Sequence, residues 1–158
     1  MADQGHLDIL KQGVDMWNAW RHTHPGIYPD LREAELNGLP LISVDFHNAD
    51  LRKANLVKSN LHAANFYKAD LDTADLAYAD LTQADLREAN LRMAHLYKAL
   101  LIEAGLRKAI LRGADLVRAH LIRAQLCEAD LRWVKLSEAD LGEANLTGSL
   151  VYAISDWG

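Results

Sequence analysis

From Leu31 to Leu146 every fifth position is large and apolar: 24 consecutive sites, all Leu except Phe46 and Phe66. Two residues before these sites, between Ala49 and Ala144, stands a small side chain, Ala in 18 of the 20 cases, with Ser59 and Val134 as the exceptions. A period of five fits neither common secondary structure. On a helix it advances by about 140° per step, so the leucines would wind around the axis instead of forming one stripe. On a flat strand, side chains five apart fall on opposite faces. Ala and the Leu two residues on share a face, but the three residues from each Leu to the next Ala reverse it. The backbone must therefore turn a corner in every unit to keep both columns inward, and the pattern predicts a coil of short sides. Small residues fit the tight inner corners and Leu the wider walls, each buried Leu contributing about 2 kcal/mol.

The first 30 residues follow another rhythm. Leu7, Leu10, Val14 and Trp17 recur at intervals of three or four, which predicts an amphipathic helix at about residues 5–21. His22-Thr23-His24-Pro25-Gly26-Ile27-Tyr28-Pro29, with two prolines and a glycine, reads as a connecting loop. A coil exposes apolar side chains and unpaired backbone at each end, so the expected role of Leu7, Leu10, Val14 and Trp17 is to cap the first coil; a helix that binds another protein is the alternative. At the other end the motif decays through Ser149-Leu150-Val151. There, either the aromatic tail folds over the last coil, or that coil meets a second copy or a further domain. Three segments result: residues 1–30, 31–150 and 151–158.

The unit reads Ala-Asp/Asn-Leu-x-x, as in Ala49-Asp50-Leu51-Arg52-Lys53, Ala84-Asp85-Leu86-Arg87-Glu88 and Ala144-Asn145-Leu146-Thr147-Gly148. Over roughly residues 31–150 it closely resembles the pentapeptide-repeat family, of the bacterial and cyanobacterial type with an N-terminal capping helix. The resemblance implies an all-β solenoid, a right-handed quadrilateral β-helix with four pentapeptides per coil. Twenty-four units then make about six coils, standing roughly 29 Å tall at the usual strand spacing.

The numerous carboxylates read first as turn formers, since Asp and Asn hydrogen-bond nearby backbone groups. Sorting units by residue number modulo 20 gives four outer faces. One carries Arg32, Arg52, Arg92, Arg112 and Arg132 in the slot after Leu, interrupted by Asp72; a neighbouring face has Arg87 and Arg107. This ladder is either an anion or acidic-partner site, or it pairs with adjacent Asp and Glu, which outnumber Lys and Arg by 22 to 17. Asp70, Asp72, Asp75, Asp80 and Asp85 form a belt around one coil. At the slot before Leu, the acidic residue gives way to His95, Leu100, Gly105 and Ile110, then to His120 and Gln125. Leu100, Ile102 and Ile122 are thereby expected on one outer face as an apolar contact.

Some members of the family mimic duplex DNA and bind topoisomerases such as DNA gyrase. Mimicry needs negative charge running along the axis, as phosphates do on DNA, whereas here an acidic belt runs around it and an Arg ladder along it. The expected function is therefore a non-catalytic scaffold or protein-interaction module, with the gyrase-directed mimic as the alternative. The expected partner is a protein, with a homodimer through the last coil or the apolar patch as one form of it, and neither nucleic acid nor membrane is bound directly. Candidate interface residues are Leu100, Ile102, Ile122, Arg92, Arg112 and Arg132.

Composition alters little. A chain of 158 residues at net charge −5, with 50% hydrophobic residues, suits one soluble domain. Charged residues at Asp3, Asp8 and Lys11 speak against a secretory leader, and a cytoplasmic location is expected. Cys127 is single, so it forms no internal disulfide. His22 and His24, with His6, are the one conceivable metal set, an exposed His-x-His beside prolines that reads as solvated. No phosphate loop or nucleophile motif occurs. Neither catalysis, metal nor cofactor is expected.

Overall fold

The computed structural model describes residues 1–152. Each Leu opens a four-residue turn, its carbonyl accepting from the N–H three residues on, as from Ala54 N to Leu51 O at 2.9 Å. The third residue of the turn has positive φ at 21 non-glycine residues and at Gly38, Gly113 and Gly148. Type II turns need such a residue there, and glycine adopts it most readily. The coil imposes it on other residues, because the N–H of the positive-φ residue donates to the next coil, Lys53 N to Asp72 O at 3.0 Å. Thr73, β-branched and held at φ 57°, is the poorest fit to this backbone. Thr73→Gly should raise the unfolding free energy by about 1 kcal/mol, the left-handed penalty outweighing the entropy glycine adds to the unfolded chain; a lowered urea midpoint would refute it.

The residue before each Leu forms a parallel bridge with the residue 20 further on, from Asp30 with Asp50 to Asp130 with Leu150. Twenty residues return the chain to the same place, so four pentapeptides make a coil with four walls. Each bridge is a single residue, because a turn follows before a strand can lengthen. Inside, the Leu column from Leu51 to Leu126 and the Ala column from Ala54 to Ala129 are buried. Ser59, the one polar occupant of the small slot, is accommodated by donating its hydroxyl to Leu56 O at 2.6 Å.

In place of one helix at about residues 5–21, the chain forms two, α1 (Gln4–Leu10) and α2 (Val14–Thr23). The break falls at Gly13, whose φ of 110° no L-residue adopts easily. Its N–H closes α1 on Leu10 O at 3.0 Å, and its carbonyl opens α2 by accepting from Trp17 N at 3.0 Å. Leu10 and Trp17 are buried, while Leu7 and Val14 are half-buried. Helix α2 docks on the first coil through backbone atoms. Trp17 Nε1 donates to Asp45 O at 2.8 Å, and Asn18 both donates to Ser43 O at 3.0 Å and accepts from Asp45 N at 2.9 Å. Buried Arg21 reaches Ile27 O at 2.6 Å and His47 O at 2.7 Å.

Burial fades toward the other end. Leu131 and Leu136 remain buried, but Ala139, Leu141, Ala144 and Leu146 are half-buried. The aromatic tail expected to fold over this coil includes residues 153–158, which lie outside the described residues.

Candidate functional site

Turn formation occupies ten of the 21 acidic side chains among the described residues. All fifteen Asp or Asn residues in the slot before Leu, from Asp30 to Asn145, accept from the backbone N–H two residues on. Four of the five belt carboxylates, Asp70, Asp75, Asp80 and Asp85, are among them. Their geometry is that of backbone caps.

The Arg ladder divides in two. Arg32, Arg52 and Arg132 each fold back on the Asp two residues earlier in a two-pronged bond, with Nη2 to Oδ2 at 2.6 Å in all three. Arg87 does the same with Asp85 on the neighbouring wall. The hydrogen bond from Arg32 brings the Asp30 carboxyl down to about 2, and that from Arg132 lowers Asp130. Other walls pair between coils, Arg107 with Glu128 at 2.9 Å and Arg118 with Glu138 at 2.8 Å. Arg92 and Arg112 differ. The residues two before them are Asn90 and Ile110, and neither guanidinium has a carboxylate within ion-pair distance among the described residues. Arg112 lies instead over the Trp133 ring, 4.1 Å from its centroid.

The same wall gathers exposed apolar side chains. Met93 is 52% exposed, Ile110 43%, Trp133 47%, Leu150 46% and Tyr152 61%. Met93 occupies the space that a side chain on Gly113 would fill, and Arg112 lies on Trp133 of the next coil, so three successive coils share one surface. By contrast, Leu100, Ile102 and Ile122 are half-buried on the opposite wall, two pentapeptides round the coil. The expected apolar trio and the cationic trio of Arg92, Arg112 and Arg132 are thus separate surfaces. The sequence signal for Met93, Ile110 and Trp133 was the same modulo-20 sorting, applied to the turn slot and to the slot before Leu.

A cavity of about 530 Å³ lies where α1 leaves the first coil incompletely covered, lined by Leu7, Leu10, Lys11, Ala34, Leu36 and Leu39. His6 and His24 pack on Trp20, each 5.2 Å from it between ring centroids, and the His6 Nδ1 accepts from Asp30 N at 3.1 Å. No group of three His, Cys, Asp or Glu side chains suited to a metal occurs among the described residues. No helix among them is long and apolar enough to cross a membrane.

These features define a filled, four-walled parallel solenoid whose distinguishing chemistry lies outside, on its walls. The chain belongs to the pentapeptide-repeat family: the profile described as pentapeptide repeats (8 copies) matches residues 41–77, 79–116 and 114–150, more than half of the chain. No curated protein matches it significantly. Among solved structures it is similar to a pentapeptide repeat protein of the Arabidopsis thaliana thylakoid lumen, at 36% identity over 56% of this chain and 65% of that one, TM-score 0.49. HetL, a pentapeptide repeat protein involved in heterocyst differentiation regulation in the cyanobacterium Nostoc sp. strain PCC 7120, is 34% identical over 76% of this chain and 62% of its own, TM-score 0.33. The chain thus spans less than two thirds of the length of either. QnrB1, a plasmid-mediated fluoroquinolone resistance protein, matches at 15% identity over 77% of this chain and 87% of its own, TM-score 0.37.

Proposed function

We propose that this chain is a non-catalytic, cytoplasmic protein-interaction module. In this reading a right-handed quadrilateral β-helix of six coils is capped at its N-terminal end by α1 and α2, and one outer wall binds a protein partner. The observation that carries it is the run of Met93, Ile110, Trp133, Leu150 and Tyr152 exposed on the same wall as Arg92 and Arg112, because Trp, Tyr, Met and Arg are the residues interfaces favour. Among the described residues the Leu and Ala columns fill the space between the walls, which suits recognition on an outer face. Self-association through Leu100, Ile102 and Ile122, or through the half-buried last coil, is a narrower form of the same proposal, read by light scattering.

The gyrase-directed mimic is less well supported. The carboxylates that run along the axis, Asp30, Asp50 and Asp70, cap their own turns, and the first two are also neutralised by Arg32 and Arg52. The test is in-cell cross-linking of the chain and of an Ile110→Ala/Trp133→Ala variant. A discrete protein partner should be held by the chain and lost by the variant. Capture of no protein above background would overturn the module. Capture of gyrase, with inhibition of its supercoiling by the purified chain, would replace this reading with the mimic.

A further inference from the structure

Three of the five arginines on this ladder are neutralised by an Asp two residues earlier, and two are not. The exceptions, Arg92 and Arg112, are on adjacent coils, about 4.8 Å apart in register. Like charges so close repel, and no carboxylate among the described residues lies within ion-pair distance of either, although Asp72 holds the same slot one coil before Arg92. Arg112 lends a distant field to Asp130, but that carboxylate is already held by Arg132. The two guanidiniums are bordered by the exposed apolar surfaces of Met93, Ile110 and Trp133.

We propose that this wall is the docking site for an acidic, amphipathic segment of a partner protein. Its carboxylates would bind Arg92 and Arg112, and its apolar side chains would cover Ile110, Met93 and Trp133. This proposal rests on the interaction-module reading and specifies the partner's chemistry. Charge complementarity selects the occupant. A second copy docking with its two-fold axis on this patch would bring the guanidinium pairs of both copies together, a repulsive contact. A nucleic acid backbone supplies anions but no apolar side chains for Met93 and Ile110, and one face of Trp133 is already covered by Arg112. A protein segment supplies both. The patch climbs from Asn90 to Leu150 through three bridge steps, about 14 Å, the length of an extended stretch of four or five residues.

The test uses the full chain and two fluorescent synthetic peptides, one alternating Glu with Leu and Val, the other with Gln in place of Glu. The acidic peptide should bind at least about tenfold more tightly than its neutral twin, as charge-assisted pairing with two guanidiniums requires. The preference should disappear in Arg92→Gln/Arg112→Gln, and both peptides should weaken on Trp133→Ala. Circular dichroism would show that these variants keep the fold. Equal binding of the two peptides, or an acidic preference surviving Arg92→Gln/Arg112→Gln, would overturn the carboxylate assignment while leaving the module reading intact. Displacement of the acidic peptide by duplex DNA at micromolar concentration would overturn it in favour of a nucleic acid. Tighter peptide binding on Asp156→Asn would assign the wall to the chain's own C-terminal residues and overturn it as well. Loss of the cross-linked partner reading with peptide selectivity retained would sink the module and spare the recognition chemistry.

Discussion

Trp17→Ala should lower the unfolding free energy by about 3–5 kcal/mol, the range for removing a buried aromatic side chain. Trp17 is wholly buried and does three things at the end of the solenoid. Its ring meets Phe46 edge-on at 5.7 Å, and Phe46 in turn packs on Phe66 at 5.5 Å, so the helix pair joins the core of the first two coils through an aromatic column. Its Nε1 satisfies the Asp45 carbonyl. It also packs at 5.3 Å on Trp20, one turn further along the same face of α2. Trp17→Phe keeps most of the apolar area but leaves that carbonyl without its donor, and should cost about 1–3 kcal/mol. Urea denaturation followed by circular dichroism measures both. A loss below about 1 kcal/mol for Trp17→Ala would show that the first coil stands without its cover.

Leu91→Ala should cost about 2–5 kcal/mol, whereas Leu146→Ala, chemically the same change, should cost less than half as much. Leu91 is completely buried in its wall between Leu71 and Leu111, which are also completely buried, and neighbours tied into coils on both sides cannot collapse into the cavity. Leu146 is half-buried in the last described coil and loses less contact on truncation. Equal losses at the two sites would mean that the end of the stack is as well covered in solution as its middle. Either result locates where the solenoid is thermodynamically closed.

The Leu and Ala columns made the coil legible because each inward residue is specified by size alone. The break at Gly13 was not legible, because Leu7, Leu10, Val14 and Trp17 keep helical spacing straight through it, and only the backbone reveals the reversal. Nor did residue types announce the positive-φ column: Glu33, Lys53, Tyr78 and Trp133 carry no turn signature, and the ladder to the next coil dictates their backbone. On the surface, residue number gave the right wall for the arginines. Which of them are free depends on a finer rule, Asp-Leu-Arg against Asn-Leu-Arg or Ile-Leu-Arg. Leu100, Ile102 and Ile122 lie along the flat of a wall, where neighbouring coils cover them. Met93 and Trp133 occupy the turn slot, which projects at the coil's edge, and their exposure follows from that position.

The 20-residue bridge register is built from four units that offer the core nearly the same two side chains. A gene that gains or loses five codons within this stretch therefore restores every inward column, while sliding all later residues by one wall. The solenoid's interior is indifferent to the edit. Its outside is not: one such slip would carry Arg112, Trp133 and Tyr152 a quarter turn away from Arg92 and Met93, dissolving one surface and composing another. Replication errors in steps of five codons can thus redraw what this protein presents to its surroundings without first having to survive a misfolded ancestor.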